Sequence, residues 1–152
     1  MEFSHVDQNG RAKMVDVSSK KAARRIARAY GYIKMSTNTI ALIRENMILK
    51  GDVLTVAKIA GINATKQTST LIPLCHNIEI DFVDVDFVIK DDRILIRSIA
   101  VCVDRTGIEM EALTAVSVAA LTVYDMCKAV DKNMVISDIR LVDKVKKHYE
   151  PI

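Results

Sequence analysis

Residues 78–103 read IEIDFVDVDFVIKDDRILIRSIAVCV. Apolar side chains alternate through Ile78, Ile80 and Phe82, then through Val83, Val85, Phe87 and Ile89. Period two marks a strand with one covered face. The phase slips by one residue at Phe82–Val83, which predicts a β-bulge. A second strand, RILIRSIAVCV (93–103), follows the tight KDDR turn at 90–93. The two therefore read as a hairpin.

Upstream, RIARAYGYIKM (25–35) puts Ala27, Ala29, Gly31, Ile33 and Met35 on one side and Arg28, Tyr30, Tyr32 and Lys34 on the other. That again predicts a strand, although its Ala/Arg-rich start is also compatible with a helix. Ser36 or Thr37 can cap a helix running to about Met47. KGD (50–52) is a turn, and Asp52 is placed to cap a helix over VLTVAKIAG that Gly61 stops. NATKQTSTLI (63–72) is a further helical piece, closed by Pro73. Downstream, Glu111–Val130 predicts a helix of about twenty residues, roughly 30 Å long. MVISDIRLVDKVKK (134–147) ends the chain as a strand running into a charged tail, 145–152.

The order is strand, helices, strand, strand, helix, strand. It predicts an α+β, ferredoxin-like fold: an antiparallel sheet with helices packed on one face. One domain over 1–152 is expected, with residues 1–20 as an irregular N-terminal arm. The last helix is apolar nearly all round, more than one sheet face would cover. A subunit contact is expected to hide the remainder.

Composition removes several function classes. A net charge of +3 is too mild to imply a nucleic-acid surface. No aromatic and basic platform for stacking bases is visible. Cys75, Cys102 and Cys127 form no CxxC pair, so neither zinc nor a disulfide framework is implied. Reduced thiols suit a cytoplasmic protein. The start lacks a signal pattern. The longest uncharged run, Ala112–Tyr124, falls short of the roughly 20 residues of a membrane helix.

Two places carry polar residues in apolar surroundings. Asp125 and Lys128 lie three apart on one helix face. They read either as a surface ion pair or as an acid–base pair with shifted pKa values. Glu109 and Glu111 stand at the start of the same helix, where the helix dipole alone would favour them. Lys50 lies in the KGD turn, and His76 follows Pro73 in IPLCHN (72–77). His76 reads as a structural or a functional residue. Adjacent Cys75 and His76 point to opposite sides of an extended chain, so neither a metal site nor a Cys–His nucleophile fits. Glu111 and Asp125 are fourteen residues apart, about 21 Å along one helix. They belong to two sites, or to one site shared between subunits.

The blocks MVDVSSK (14–20), KGDVLTVAKIAGINATKQTSTLIPLCH (50–76) and TGIEMEALTAVSVAALTVYDMCKAVDKNM (106–134) closely resemble the cyclic pyranopterin monophosphate synthase family. The likeness runs from about Ser4 to Lys144. It implies a lyase of molybdenum cofactor biosynthesis, acting without metal or organic cofactor. Its substrate would be a GTP-derived, 3′,8-cyclised dihydroguanosine triphosphate, rearranged to a cyclic-phosphate pterin with release of diphosphate. It implies a ferredoxin-like fold and a hexamer, a trimer of dimers with sites at the dimer interface.

By the same resemblance, Asp125, Lys128, Lys50 and His76 are the catalytic residues. Leu74, Cys75, His76, Glu109, Met110, Glu111, Arg25 and Lys144 bind substrate. Arg24 is the neighbouring register for Arg25, and Lys146 and Lys147 are alternatives to Lys144. The end of this chain, DKVKKHYEPI (143–152), departs from the family's Gly/Ser-rich lysine tail.

Overall fold

A computed structural model describes residues 4–150; residues 1–3 of the expected arm and 151–152 of the expected tail lie outside the described residues. Strand β1 (Ala23–Lys34) is followed by helices α1 (Thr37–Arg44), α2 (Val53–Lys66) and α3 (Thr68–Leu71). Strands β2 (Phe82–Ile89) and β3 (Arg93–Asp104), helix α4 (Glu109–Cys127) and strand β4 (Val135–His148) complete the chain. The sheet order is β2-β3-β1-β4, and every pairing is antiparallel. This is the split βαβ arrangement that the hairpin at 82–104 and the element order predict.

Alternation decides which face of β1 is covered. Ala23, Arg25, Ala27, Ala29, Gly31 and Ile33 are buried, while their neighbours are exposed or half-buried. Small residues there let α4 lie close over the sheet. Ile33, Ile94, Ile96, Val85, Val116 and Val123 are fully buried in the core between sheet and helices. Each contributes roughly 1.5–3 kcal/mol by leaving water. The opposite sheet face carries the ion pairs Arg28–Asp143 and Arg97–Asp86.

Four expectations change in detail. The phase slip at Phe82–Val83 is not a bulge: β2 begins at Phe82 and pairs with β3 in unbroken register, and Ile78 and Ile80 lie before the strand. The irregularities fall instead between β1 and β4, at Arg28/Ala29 and Tyr30/Tyr32. Gly61 does not end α2, which runs on to Lys66. A Cβ there would stand 2.9 Å from the Ala115 carbonyl and 3.1 Å from Val85, so the glycine is where α2 and α4 approach closely. The residues expected as a charged tail are strand as far as His148, because β4 pairs with β1 down to His148 opposite Ala23.

The fourth concerns α4. It has the length and hydropathy of a membrane span, yet half of that stretch is buried within this chain. The sheet and α2 cover that half, and the exposed large apolar side chains of α4 are Leu121 (59% exposed) and Met110. The remainder expected to be hidden by a subunit contact thus amounts, among exposed large apolar side chains, to Leu121 and Met110.

Candidate active site

Two polar clusters form, one at each end of α4. At the C-terminal end, Asp125 lies between two ammonium groups. Lys128 Nζ donates to Asp125 Oδ1 at 2.7 Å, and Lys50 Nζ donates to Oδ2 at 2.9 Å and to the Asp125 carbonyl at 3.0 Å. Helical spacing delivers Lys128, while Lys50 comes from the turn between α1 and α2, where Gly51 adopts φ +106°. That turn is tied by the Gly51 N–H to the Ile48 carbonyl, and Asp52 then caps α2 through the Thr55 N–H. Hydrogen bonds and charge from Lys128, then from Lys50, hold the Asp125 carboxyl down at about 2. Asp125 in turn raises Lys128 above the ordinary lysine range.

At the N-terminal end, Glu109 and Glu111 occupy the first turn of α4. Glu109 is ion-paired with Lys144 of β4. Glu111 is 4% exposed, and burial pushes its carboxyl up, with Glu109 adding to the effect. Cys75 lies close by: burial raises its thiol first, and Glu111 and Glu109 raise it further. Met110 is exposed on the outer side of this turn. Leu74 and Cys75 follow α3 in a turn closed by the Cys75 N–H to the Ile72 carbonyl. His76 Nε2 stands 2.7 Å from the Val15 carbonyl. A carbonyl can only accept, so Nε2 carries the proton and Nδ1 is left free for other chemistry.

Arg25 is 6% exposed, on the helix-facing side of β1. Its Nε donates to the Asp104 carbonyl at 2.9 Å, Nη2 to Arg105 at 2.7 Å and Nη1 to Gly107 at 3.3 Å. It thus clamps the loop leading into α4, with two of its five N–H groups left over. Arg24 faces the other side and is exposed.

Lys144 and Lys146 lie opposite Ala27 and Arg25, on the helix-facing side of the sheet, whereas Lys147 lies opposite outward Arg24; the two one-residue shifts between β1 and β4 sum to two and so leave that alternation in phase. Lys20, Lys21, Arg25, Lys144, Lys146 and His148 line a cavity of about 660 Å³. Ala22 and Ala23 complete its lining, which carries no acidic side chain and so suits a polyanion. Lys20, Lys21 and His148 were not singled out in the sequence. The doubled lysine after MVDVSS was the available signal, but without the fold it reads as a solvated arm.

Eight of the candidate residues fall at one of two places, while His76 is held by the Val15 carbonyl, apart from the Asp125 cluster with which the resemblance groups it. Lys50, Asp125 and Lys128 meet at one end of α4; Glu109, Glu111, Cys75, Arg25 and Lys144 gather toward the other. Among the described residues, no group of three or more His, Cys, Asp or Glu is arranged to hold a metal ion.

Fold and clusters together describe a ferredoxin-like α+β domain with a basic groove toward one end of α4 and a carboxylate held between two lysines at the other. The MoaC family model matches residues 14–147. The cyclic pyranopterin monophosphate synthase of Peptoclostridium acidaminophilum is 56% identical over 144 residues, covering 95% of this chain and 92% of that protein. The protein of the same name from Desulfitobacterium hafniense is 54% identical over 145 residues, covering 95% and 89%. The molybdenum cofactor biosynthesis bifunctional protein of Chlorobaculum tepidum is 58% identical over 144 residues, covering 95% of this chain and 46% of that one. The chain belongs to the MoaC family.

Proposed function

We propose that this protein is a cyclic pyranopterin monophosphate synthase, a lyase acting early in molybdenum cofactor biosynthesis. It would take the 3′,8-cyclised dihydroguanosine triphosphate, form cyclic pyranopterin monophosphate and release diphosphate. The observation that carries this reading is the near end-to-end match to relatives of that name, 56% identical over 92% of the relative's length.

The geometry supports a division of labour. The groove of Lys20, Lys21, Lys144 and Lys146 suits the triphosphate, where fixed cations also stabilise the leaving diphosphate. Glu111, buried and beside Cys75, suits the ring's N–H donors. Asp125, Lys50 and Lys128 suit proton movement during ring opening and closure. With its carboxyl near 2, Asp125 is ionised at neutral pH and a weak base. Substrate anions that draw a lysine away would raise its basicity at the moment of need. His76 would exchange protons through Nδ1.

We place the complete site between two copies of the chain, in a hexamer built as a trimer of dimers. Support comes from α4 itself: Glu111 and Asp125 are separated by fourteen residues, about 21 Å. A two-fold axis would bring one copy's Glu111 to the other's Asp125. We assign the protein to the cytoplasm, where its thiols stay reduced.

The test is turnover of the cyclised triphosphate by purified protein, followed by diphosphate release and pterin fluorescence. No product from authentic substrate would refute the activity. The shared site is tested by mixing two inactive variants, Glu111→Gln and Asp125→Asn. A hybrid dimer then holds one intact site, so activity returns on mixing. Continued silence after verified subunit exchange would refute a shared site.

A further inference from the structure

Lys50 and Asp125 meet although 75 residues separate them, and each belongs to a different segment. Asp125 and Lys128 end α4, whereas Lys50 sits in the turn that follows α1. The contact between them needs those two segments held in fixed relation.

Asp131, outside the cluster, joins the end of α4 to the start of α1, the helix that leads into the Lys50 turn. Asp131 is 8% exposed and lies three residues beyond Lys128. Its N–H donates to the Cys127 carbonyl at 3.0 Å, continuing the end of α4. Its Oδ2 accepts the Ser36 N–H at 2.8 Å and the Thr39 hydroxyl at 3.1 Å, and Oδ1 accepts the Asn133 N–H at 3.1 Å. Ser36 is the cap of α1, and its own hydroxyl accepts the Thr39 N–H at 3.2 Å. The carboxylate is thus built into the start of α1, where unpaired N–H groups and the helix dipole favour an anion. From there α1 is a rigid lever of eight residues. Its end is closed by the Met47 N–H to the Leu42 carbonyl, and Ile43 and Ile48 are buried in the core.

We infer that Asp131 is a positioning residue for the proton-transfer cluster: it docks α1 onto the end of α4 and thereby sets Lys50 against Asp125 and Lys128. The inference rests on the proposed function for its kinetic readout, but not for its structural one. Asp131 lies beyond the cluster, and its carboxylate bonds to Ser36, Thr39 and Asn133 rather than to Lys50, Asp125 or Lys128, so it acts through the elements that carry them.

The experiment is Asp131→Asn in the full chain. The amide keeps the shape but turns one oxygen into a donor, which then faces an N–H. The Asp125 carboxyl is followed first, by NMR titration without substrate. With Lys50 displaced, it climbs from about 2 toward the ordinary carboxylate range. Turnover is followed second. A 1 Å misplacement predicts a kcat loss on the order of 100-fold, with KM changed by less than about threefold.

A double-mutant cycle completes the test. Lys50→Met should add little to Asp131→Asn, because both break the same contact, whereas Lys144→Met should add its full effect. An unmoved Asp125 titration, a loss carried by KM, or full additivity with Lys50→Met overturns the proposal. If Asp131→Asn does not fold, Thr39→Val removes one donor to the same carboxylate and carries the same readouts at smaller amplitude. A wild-type protein without turnover would refute the proposed function and leave the titration arm standing.

Discussion

Asp125 and Glu111 stand on one helix, fourteen residues apart, and their surroundings push them in opposite directions. Asp125 is exposed and flanked by Lys128 and Lys50, which hold it ionised down to about pH 2. Glu111 is buried beside another acid, and burial favours its protonated form. Identity as an acid therefore says little about role. What differs is the solvent and the immediate neighbours: Glu111 is buried, whereas Asp125 is exposed between two ammonium groups.

The most direct way to break this comparison is Asp125→Asn, which leaves the two lysines without their carboxylate. Turnover should fall by 10²–10⁴-fold, the usual weight of a general acid–base group, with the fold intact by circular dichroism. Wild-type turnover would remove Asp125 from the chemistry.

Lys128→Met and Lys50→Met sharpen the comparison from the cation side. Each should raise the Asp125 carboxyl from about 2, Lys128→Met by more, because Lys128 is the larger cause. The sign for stability follows. A depressed carboxyl stabilises the fold above its unfolded pKa and loses that contribution as pH falls through the folded value. Both variants should therefore show a shallower loss of Tm between about pH 4 and 2. Equal titration curves for wild type and variants would deny the lysines their effect.

Gly61→Ala tests the middle of α4, which both ends share. The added Cβ would meet the Ala115 carbonyl at 2.9 Å. Overpacking of this kind costs about 1–3 kcal/mol, read as a lower urea midpoint. An unchanged midpoint would mean that α2 and α4 can separate freely.

The smallest effect belongs to Glu111→Gln on stability. A raised carboxyl favours the fold below its unfolded pKa and loses that contribution as pH climbs through the folded value. The difference in Tm between wild type and Glu111→Gln should therefore shift against wild type from about pH 4.5 upward. The opposite slope would mean that Glu111 is ionised comfortably where it sits.

Much of the fold was legible because side-chain period is a local property. The strand from Ala27 to Met35, the hairpin around KDDR and the helix through Ala112–Tyr124 each follow from spacing within a few residues. Gly61 was misread for the same reason. Taken locally, glycine stops a helix; against Ala115, it permits one helix to touch another. The phase slip at Phe82–Val83 was likewise local evidence for a bulge, whereas it marks where β2 begins.

The candidate site divides along the same line. Asp125 with Lys128 was legible because a helix puts residues three apart on one face, and Glu109 with Glu111 because acids gather in the first turn of a helix. By itself the sequence determined the elements, their order, and the chemical character at each end of α4. Only the tertiary structure decided that Lys50 joins Asp125, that Arg25 is committed to three carbonyls, and that Lys144 and Lys146 line one groove with Lys20 and Lys21. Those relations join residues tens of positions apart. They depend on strand register and helix docking, which no local spacing encodes.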